Sequence, residues 1–303
     1  MSAPISLDIV HDTRYHYAGR VDLAYHLAML KPQGAARQTV AAFALESDPP
    51  PSFHRTGIDA FGNHRDLFSI YAPHDALHVR ATSRVALAVP PEIPLAASTA
   101  WEQVRAAMRY RAGAPYLPAT EFAFASPYVP IAHELADYAR PCFAAGRPVL
   151  AGAEALMLRI HEDFEYAAAS TEVDTPVMAA FVTRRGVCQD FAHVMIGCLR
   201  ALGLAARYVS GYLLTTPPPG RPRLVGADAS HAWVSVYCPE LGWLDFDPTN
   251  AVIPRLDHVV VATGRDFGDV TPLRGVIHGG GAHTLEVGVT VRPHGEARAP
   301  HGN

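Results

Sequence analysis

The segment Arg184-Arg185-Gly186-Val187-Cys188-Gln189-Asp190-Phe191-Ala192-His193 passes from a glycine break into a helix that carries a cysteine in its first turn. Phe191, Val194, Met195, Cys198, Leu199 and Leu202 recur at intervals of three and four, and Gly203 supplies a stop. That period predicts a helix with one buried face. Unpaired N–H groups and the positive end of the helix dipole stabilise a thiolate at such a position. Cys188 is therefore the candidate nucleophile. A lone cysteine is more often a buried packing residue, so its neighbours must decide.

Downstream, Ala206 to Leu214 reads as a strand, and Ala232 to Tyr237 and Trp243 to Phe246 read as an antiparallel hairpin about the turn Pro239-Glu240-Leu241-Gly242. His231 heads the first strand of that hairpin and Asp247 ends the second, so base and carboxylate meet at one end. An imidazole in reach of a thiol can hold the thiolate and later protonate a leaving amine, while a carboxylate fixes the imidazole's tautomer. Asp245 lies two positions before Asp247 on the same face, and alternation alone does not choose between them.

Upstream, residues 4 to 90 alternate over short runs broken by clusters such as Lys31-Pro32-Gln33-Gly34 and Phe61-Gly62-Asn63, which predicts an antiparallel β-domain. Val89-Pro90-Pro91-Glu92-Ile93-Pro94 is a stiff, extended linker. It divides the chain into residues 1–95, the β-domain, and 96–303, the catalytic domain. Thr99-Ala100-Trp101-Glu102 reads as a capping box opening a helix to about Arg111, followed by helices over 130–140, 151–163 and 176–184. A β-like segment from Thr284 to Val291 follows Gly279-Gly280-Gly281, and residues 294–303 read as frayed. The fold class is α+β.

Across 303 residues, 49% hydrophobic content supports a large buried core, and 25 Lys+Arg against 29 Asp+Glu leave no basic excess for nucleic acid or an anionic membrane. The first twelve residues lack a basic n-region, and no run is long and apolar enough to span a bilayer. The four cysteines are too few and too widely spaced for a disulfide scaffold or a Cys-x-x-Cys zinc site. A reducing, cytoplasmic setting is expected. No cofactor is expected. Nor is a metal: no EF-hand loop or acidic ligand cluster is present, the N-terminal histidines share no helix face, and His278-Gly-Gly-Gly-Ala-His283 fits no ligand template. That last run reads as a flexible loop near the active site.

Gly186-Val187-Cys188-Gln189-Asp190-Phe191-Ala192-His193, Leu199 to Gly203, Arg207 to Tyr212, His231-Ala232-Trp233-Val234 and Gly242-Trp243-Leu244-Asp245-Phe246-Asp247-Pro248-Thr249-Asn250 together resemble the bacterial transglutaminase-like superfamily. The earlier Lys31-Pro32-Gln33 and Phe61-Gly62-Asn63 resemble the β-domain that precedes the core in such proteins. The resemblance implies a papain-like core with a Cys-His-Asp triad at Cys188, His231 and Asp247, the Asp-Pro-Thr pattern favouring Asp247 over Asp245. It implies thiol-dependent acyl transfer on an amide of a protein or peptide, as a cysteine peptidase, amidase or transglutaminase. The backbone N–H of Cys188 is the first oxyanion donor on this reading. With no tryptophan between Trp101 and Cys188, Tyr166 is the candidate for the second; Gln189, Asp190 and Trp233 are candidates for the substrate pocket. The alternative is a binding or scaffold module that keeps the fold without the reaction.

Overall fold

The computed structural model describes residues 4–109, 112–113, 115–167, 175–215 and 230–296. The polar stretch at 167–175, the proline loop at 215–223 and the frayed end at 294–303 lie largely outside them.

One strand organises the N-terminal half. β1 (Ile5–Ala28) absorbs three runs that the sequence presents as separate. Its first half pairs antiparallel with β5 (His74–Leu87) on one side and β13 (His283–Pro293) on the other. Its second half pairs with β4 (His64–Ile70) and β12 (Leu273–Gly279), while β2 (Gln38–Asp48) and β3 (Phe53–Ile58) form the flanks. The result is a seven-stranded antiparallel sheet. The division at residue 95 needs correction here, because β12 and β13 come from the far end of the chain. Gly279, Gly280 and Gly281 all take positive φ, between 65 and 91°, and turn β12 into β13, with Val21 opposite Gly279 and Tyr17 opposite His283. The glycine run is thus a tight corner of the sheet, which corrects the expected flexible loop.

The second half packs helices on a smaller sheet. α1 (Trp101–Ala107), α2 (His133–Ala139), α3 (Val149–Asp163) and α4 (Val177–Thr183) lead to α5 (Cys188–Ala201). Short strands β6 (Glu165–Tyr166) and β7 (Arg185–Gly186) pair in parallel just before α5. β8 (Ala206–Leu213), β9 (Ser230–Cys238), β10 (Gly242–Phe246) and β11 (His258–Gly264) form a sheet in the order β10-β9-β8-β11, and α6 (Phe267–Val270) follows. α5 is buried along nearly its whole length, from Gln189 to Arg200. It is the central helix, covered by β8 and β9 on one side and α2, α3 and α4 around it. The expected capping box of α1 does not form: the Thr99 hydroxyl bonds to Glu240, and Glu102 accepts the N–H of Gly146.

Buried side-chain amides latch the two sheets together. Asn63 donates to the carbonyl of Thr263 and accepts that residue's N–H, both at 2.8 Å, while Gln38 makes the same pair of bonds to Val260 at 2.7 and 2.9 Å. Each amide behaves toward β11 as a neighbouring strand would, satisfying backbone groups that burial would otherwise leave unpaired. His11 and Tyr212 add a hydrogen bond of 3.0 Å between β1 and β8. Leu7, Ile9, Val289 and Val291 share one continuous core with α5, so the β-domain is fixed against the helical half.

Candidate active site

The start of α5 is held from three directions. Arg184 leaves α4 at φ 56°, with its guanidinium 4.1 to 4.8 Å from the ring centres of Phe181, Tyr138 and Phe164. Such cation–π stacking rewards a conformation that a non-glycine residue otherwise avoids. At Gly186 a Cβ would come within 2.6 Å of the Asp190 carboxylate, so only glycine fits. Asp190 turns back and accepts the N–H of Val187 at 2.8 Å, placing a buried carboxylate at the positive end of the helix. Cys188 then occupies the first helical position, where no intrahelical carbonyl is available to its N–H. Of the four cysteines, Cys188 is the partly exposed one; Cys142, Cys198 and Cys238 are buried. Burial pushes the thiols of Cys142, Cys198 and Cys238 up, which keeps them protonated and inert.

His231 and Asp247 meet as the hairpin predicts, with Nε2 of the imidazole 2.7 Å from Oδ2 of the carboxylate. Asp247 is fully buried. Its Oδ2 also receives His258 Nε2 at 3.0 Å and Asn250 Nδ2 at 2.7 Å, and its Oδ1 accepts the backbone N–H groups of Thr249 and Asn250 at 2.9 and 3.2 Å. Burial alone would push the Asp247 carboxyl up, but these donors hold it well below the usual carboxylate range. Asp245 takes a different partner, the indole N–H of Trp233 at 3.1 Å. His231 and Trp233 stand two apart on one face of β9, and each claims one aspartate. The structure thereby separates the two carboxylates that alternation left equivalent.

Burial opposes charge on His231, yet hydrogen bonds and charge from Asp247 and from Cys188 raise its pKa from 6.5 to about 10. The imidazole is thus held as imidazolium at neutral pH, with Asp247 on Nε2 and the thiol of Cys188 acting on the same ring. Cys188, Gln189 and His231 line one cavity of about 400 Å³.

The other expected pocket residues lie elsewhere. Asp190 is taken up in the helix start. Trp233 is wholly buried behind the histidines, its ring 5.1 Å from His258 and edge-on to it, and packs on Gly211 of β8. Both expectations are corrected by the same cause, that each polar group finds a partner inside the protein. Tyr166 sits on β6 opposite Gly186, half-exposed, its ring 6.4 Å from Phe191. Burial and then the charge of Cys188 raise its hydroxyl pKa, which puts it in the electrostatic neighbourhood of the thiol although outside the cavity wall.

Two residues of the site escaped the sequence reading. Asn250 lies in the Asp-Pro-Thr-Asn run itself, and its side chain reaches Asp247 and, at 3.3 Å, His231. His258 lies at the start of β11, its Nδ1 held by Asp257 at 2.8 Å. Ligand atoms of His231, Asp247 and His258 fall within 4.8 Å of one another. Their contacts of 2.7 and 3.0 Å are hydrogen-bond lengths with protons between the heavy atoms, whereas a metal requires those nitrogens free of protons. The cluster fits a proton-sharing chain better than a cation site.

Residues 136–248 match the transglutaminase-like superfamily and residues 7–86 match the bacterial transglutaminase-like N-terminal region. The chain is 39% identical over 293 residues to an uncharacterised protein of Mycobacterium tuberculosis, covering 94% of this chain and 92% of that one. A protein-glutamine gamma-glutamyltransferase of Pseudomonas aeruginosa is 40% identical over 130 residues, 42% of this chain and 19% of the relative. A crystal structure of a candidate cysteine protease from Cytophaga hutchinsonii superposes with a TM-score of 0.75 at 20% identity, covering 100% of this chain and 95% of that one. The fold is that of a papain-like, transglutaminase-like α+β protein. The chain belongs to the transglutaminase-like superfamily, with the bacterial N-terminal region joined to its core.

Proposed function

We propose that this protein is an enzyme of thiol-dependent acyl transfer, acting on an amide of a peptide or protein through Cys188, His231 and Asp247. The Cys188 sulfur attacks the carbonyl carbon, and the N–H at the start of α5 receives the oxyanion, with Tyr166 as second donor. The intermediate collapses with cleavage of the C–N bond, and His231 gives its proton to the departing nitrogen. A thioester remains. Water then attacks it, His231 takes the water's proton, and the acid and the thiol are released. Asp247 keeps the imidazole oriented throughout and stabilises its charge in the steps where it carries the second proton.

The observation that carries this reading is a buried imidazole, charged by Asp247, in the wall of the cavity that Cys188 lines. Water is the proposed acceptor, because the described wall carries no carboxylate to receive an amine's ammonium. The four free cysteines support a reducing compartment, the cytoplasm, as the site of action. Incubation with glutamine-containing peptides and a fluorescent primary amine tests the reading, with free acid, released ammonia and incorporated amine measured together. Free acid in excess is expected, and none from Cys188→Ala. Amine incorporation in excess would reassign the acceptor, and turnover by Cys188→Ala would remove the nucleophile.

A further inference from the structure

The cavity beside Cys188 is built by both halves of the molecule. Val187, Gln189, Tyr208 and Phe267 come from the helical half. Facing them are Tyr15 and Thr13 of β1 and Leu285 and Val287 of β13. The register pairs Tyr15 with Leu285 and Thr13 with Val287, so these four side chains form one patch on one face of the sheet. The latches of Asn63, Gln38 and His11 onto β8 and β11 fix that patch over the thiol.

Its chemistry is one-sided. Among the described residues that line the cavity none is Asp, Glu, Lys or Arg. His11 is buried and desolvation lowers its pKa to about 4, so it is neutral at pH 7 and its Nδ1 is engaged by Tyr212. The charged member of the wall is His231, at the catalytic end and paired with Asp247; the other polar groups are hydroxyls, the Cys188 thiol and one amide. Leu285 and Val287 are apolar side chains at the edge of the cavity, 52 and 50% exposed. At about 400 Å³ the space holds on the order of a dozen waters at ~30 Å³ each, within the lower range of small-ligand sites.

We propose that this cavity receives an uncharged, apolar side chain adjacent to the amide that Cys188 attacks, and that the β1–β13 patch is the wall that selects it. This rests on Cys188 being the nucleophile. Apolar contact with Leu285 and Val287 covers them and displaces water from the cavity. A cationic side chain there loses its hydration and meets no carboxylate among the described lining residues, and an anionic one meets only the His231 imidazolium, already paired with Asp247. The sheet assembled from both ends of the chain is then the recognition half of the enzyme.

The test uses the intact protein and four alkylating probes: iodoacetamide, N-benzyl iodoacetamide, iodoacetate and a trimethylammonioethyl iodoacetamide. The rate at Cys188, located by peptide mass spectrometry, is divided by the rate of the same probe on glutathione. That division removes each probe's intrinsic reactivity. The expected result is a benzyl probe favoured over both charged probes by at least ~10-fold, the scale of a modest change in a hydrophobic pocket. The preference should fall toward unity in Leu285→Asp/Val287→Asp and persist in Val276→Asp, which alters an exposed position of β12 outside the cavity. Equal normalised rates in the unmodified protein, or a preference for a charged probe, would overturn the proposal. The rate of iodoacetamide itself reports separately on the nucleophile. If it is no faster at Cys188 than on glutathione while the benzyl preference holds, the nucleophile reading fails and the apolar cavity is supported.

Discussion

Replacing Asp247 by Asn isolates the group on which the His231 imidazole depends. The pKa of His231 is raised from an ordinary 6.5 to about 10, so Asp247 and Cys188 together favour the imidazolium by a few kcal/mol, at ~1.4 kcal/mol for each tenfold change. Asn keeps the volume but removes the charge, leaving burial, which lowers the pKa, opposed by Cys188 alone. His231 should then titrate at or below its ordinary value, with at most about a quarter of it charged at pH 7 where nearly all was before. Turnover should drop about 10⁴-fold, the scale seen when a catalytic imidazole loses its orienting carboxylate. NMR titration of the His231 ring protons in both proteins measures the shift directly. An unchanged titration of His231 in Asp247→Asn would refute the reasoning, since another group would then hold the charge.

Four further outcomes follow from the same contacts. The raised His231 contributes stability in full below its unfolded value of 6.5 and loses it as pH rises through about 10. The depressed Asp247 contributes above its unfolded 3.8 and loses it as pH falls through its lower folded value. Thermal melts should therefore be flattest between about pH 4 and 6.5, decline as pH rises from 6.5 toward about 10 and decline again below 3.8, with both declines reduced in Asp247→Asn. His258→Phe removes one donor from Asp247 and should cost about 10- to 100-fold in turnover, the range of a hydrogen bond to a charged group. His258→Gln, which retains a donor, should recover part of it with a smaller shift in the pH–rate profile. Gly211→Ala drives a Cβ into the Val259 carbonyl and the Trp233 ring and should cost about 1 to 3 kcal/mol or more in denaturant melts, the usual scale of overpacking. Arg200, fully buried, donates to the carbonyls of Phe122, Ala206 and Arg265 and to the Ser126 hydroxyl; Arg200→Met should lose about 3 kcal/mol or more by orphaning those acceptors.

The parts of the site that could be read from the sequence are those set by local patterns. The three-and-four spacing after Cys188 specifies the buried face of α5, and the Pro239-to-Gly242 turn specifies the hairpin, with Gly242 opposite Cys238. His258 could not be read this way. Its strand pairs with β8, far earlier in the chain with His258 opposite Leu213, and Val259 to Val261 is a continuous apolar run that carries no alternation to reveal a polar member at its start. The same holds for β13, which joins a strand near the N-terminus, Leu7 opposite Pro293. Trp233 misled for a different reason. It shares the face of His231, but the space there is closed by the indole itself, seated on a Gly211 that leaves room for it. Asn63 and the Lys31-Pro32-Gln33 turn stood out as family marks, and their physical role emerges only where Asn63 meets β11 and Gln33 bonds to Asn63.

The central claim is a covalent acyl intermediate on Cys188. Rapid mixing with an activated ester of a glutamine-containing peptide, acid quench and peptide mass spectrometry measure it directly. The account predicts one acyl group, on Cys188, that forms and decays at the rate of turnover and is absent from Cys188→Ala. Turnover of the ester with no acyl group on Cys188, or with the group on another residue, would contradict it.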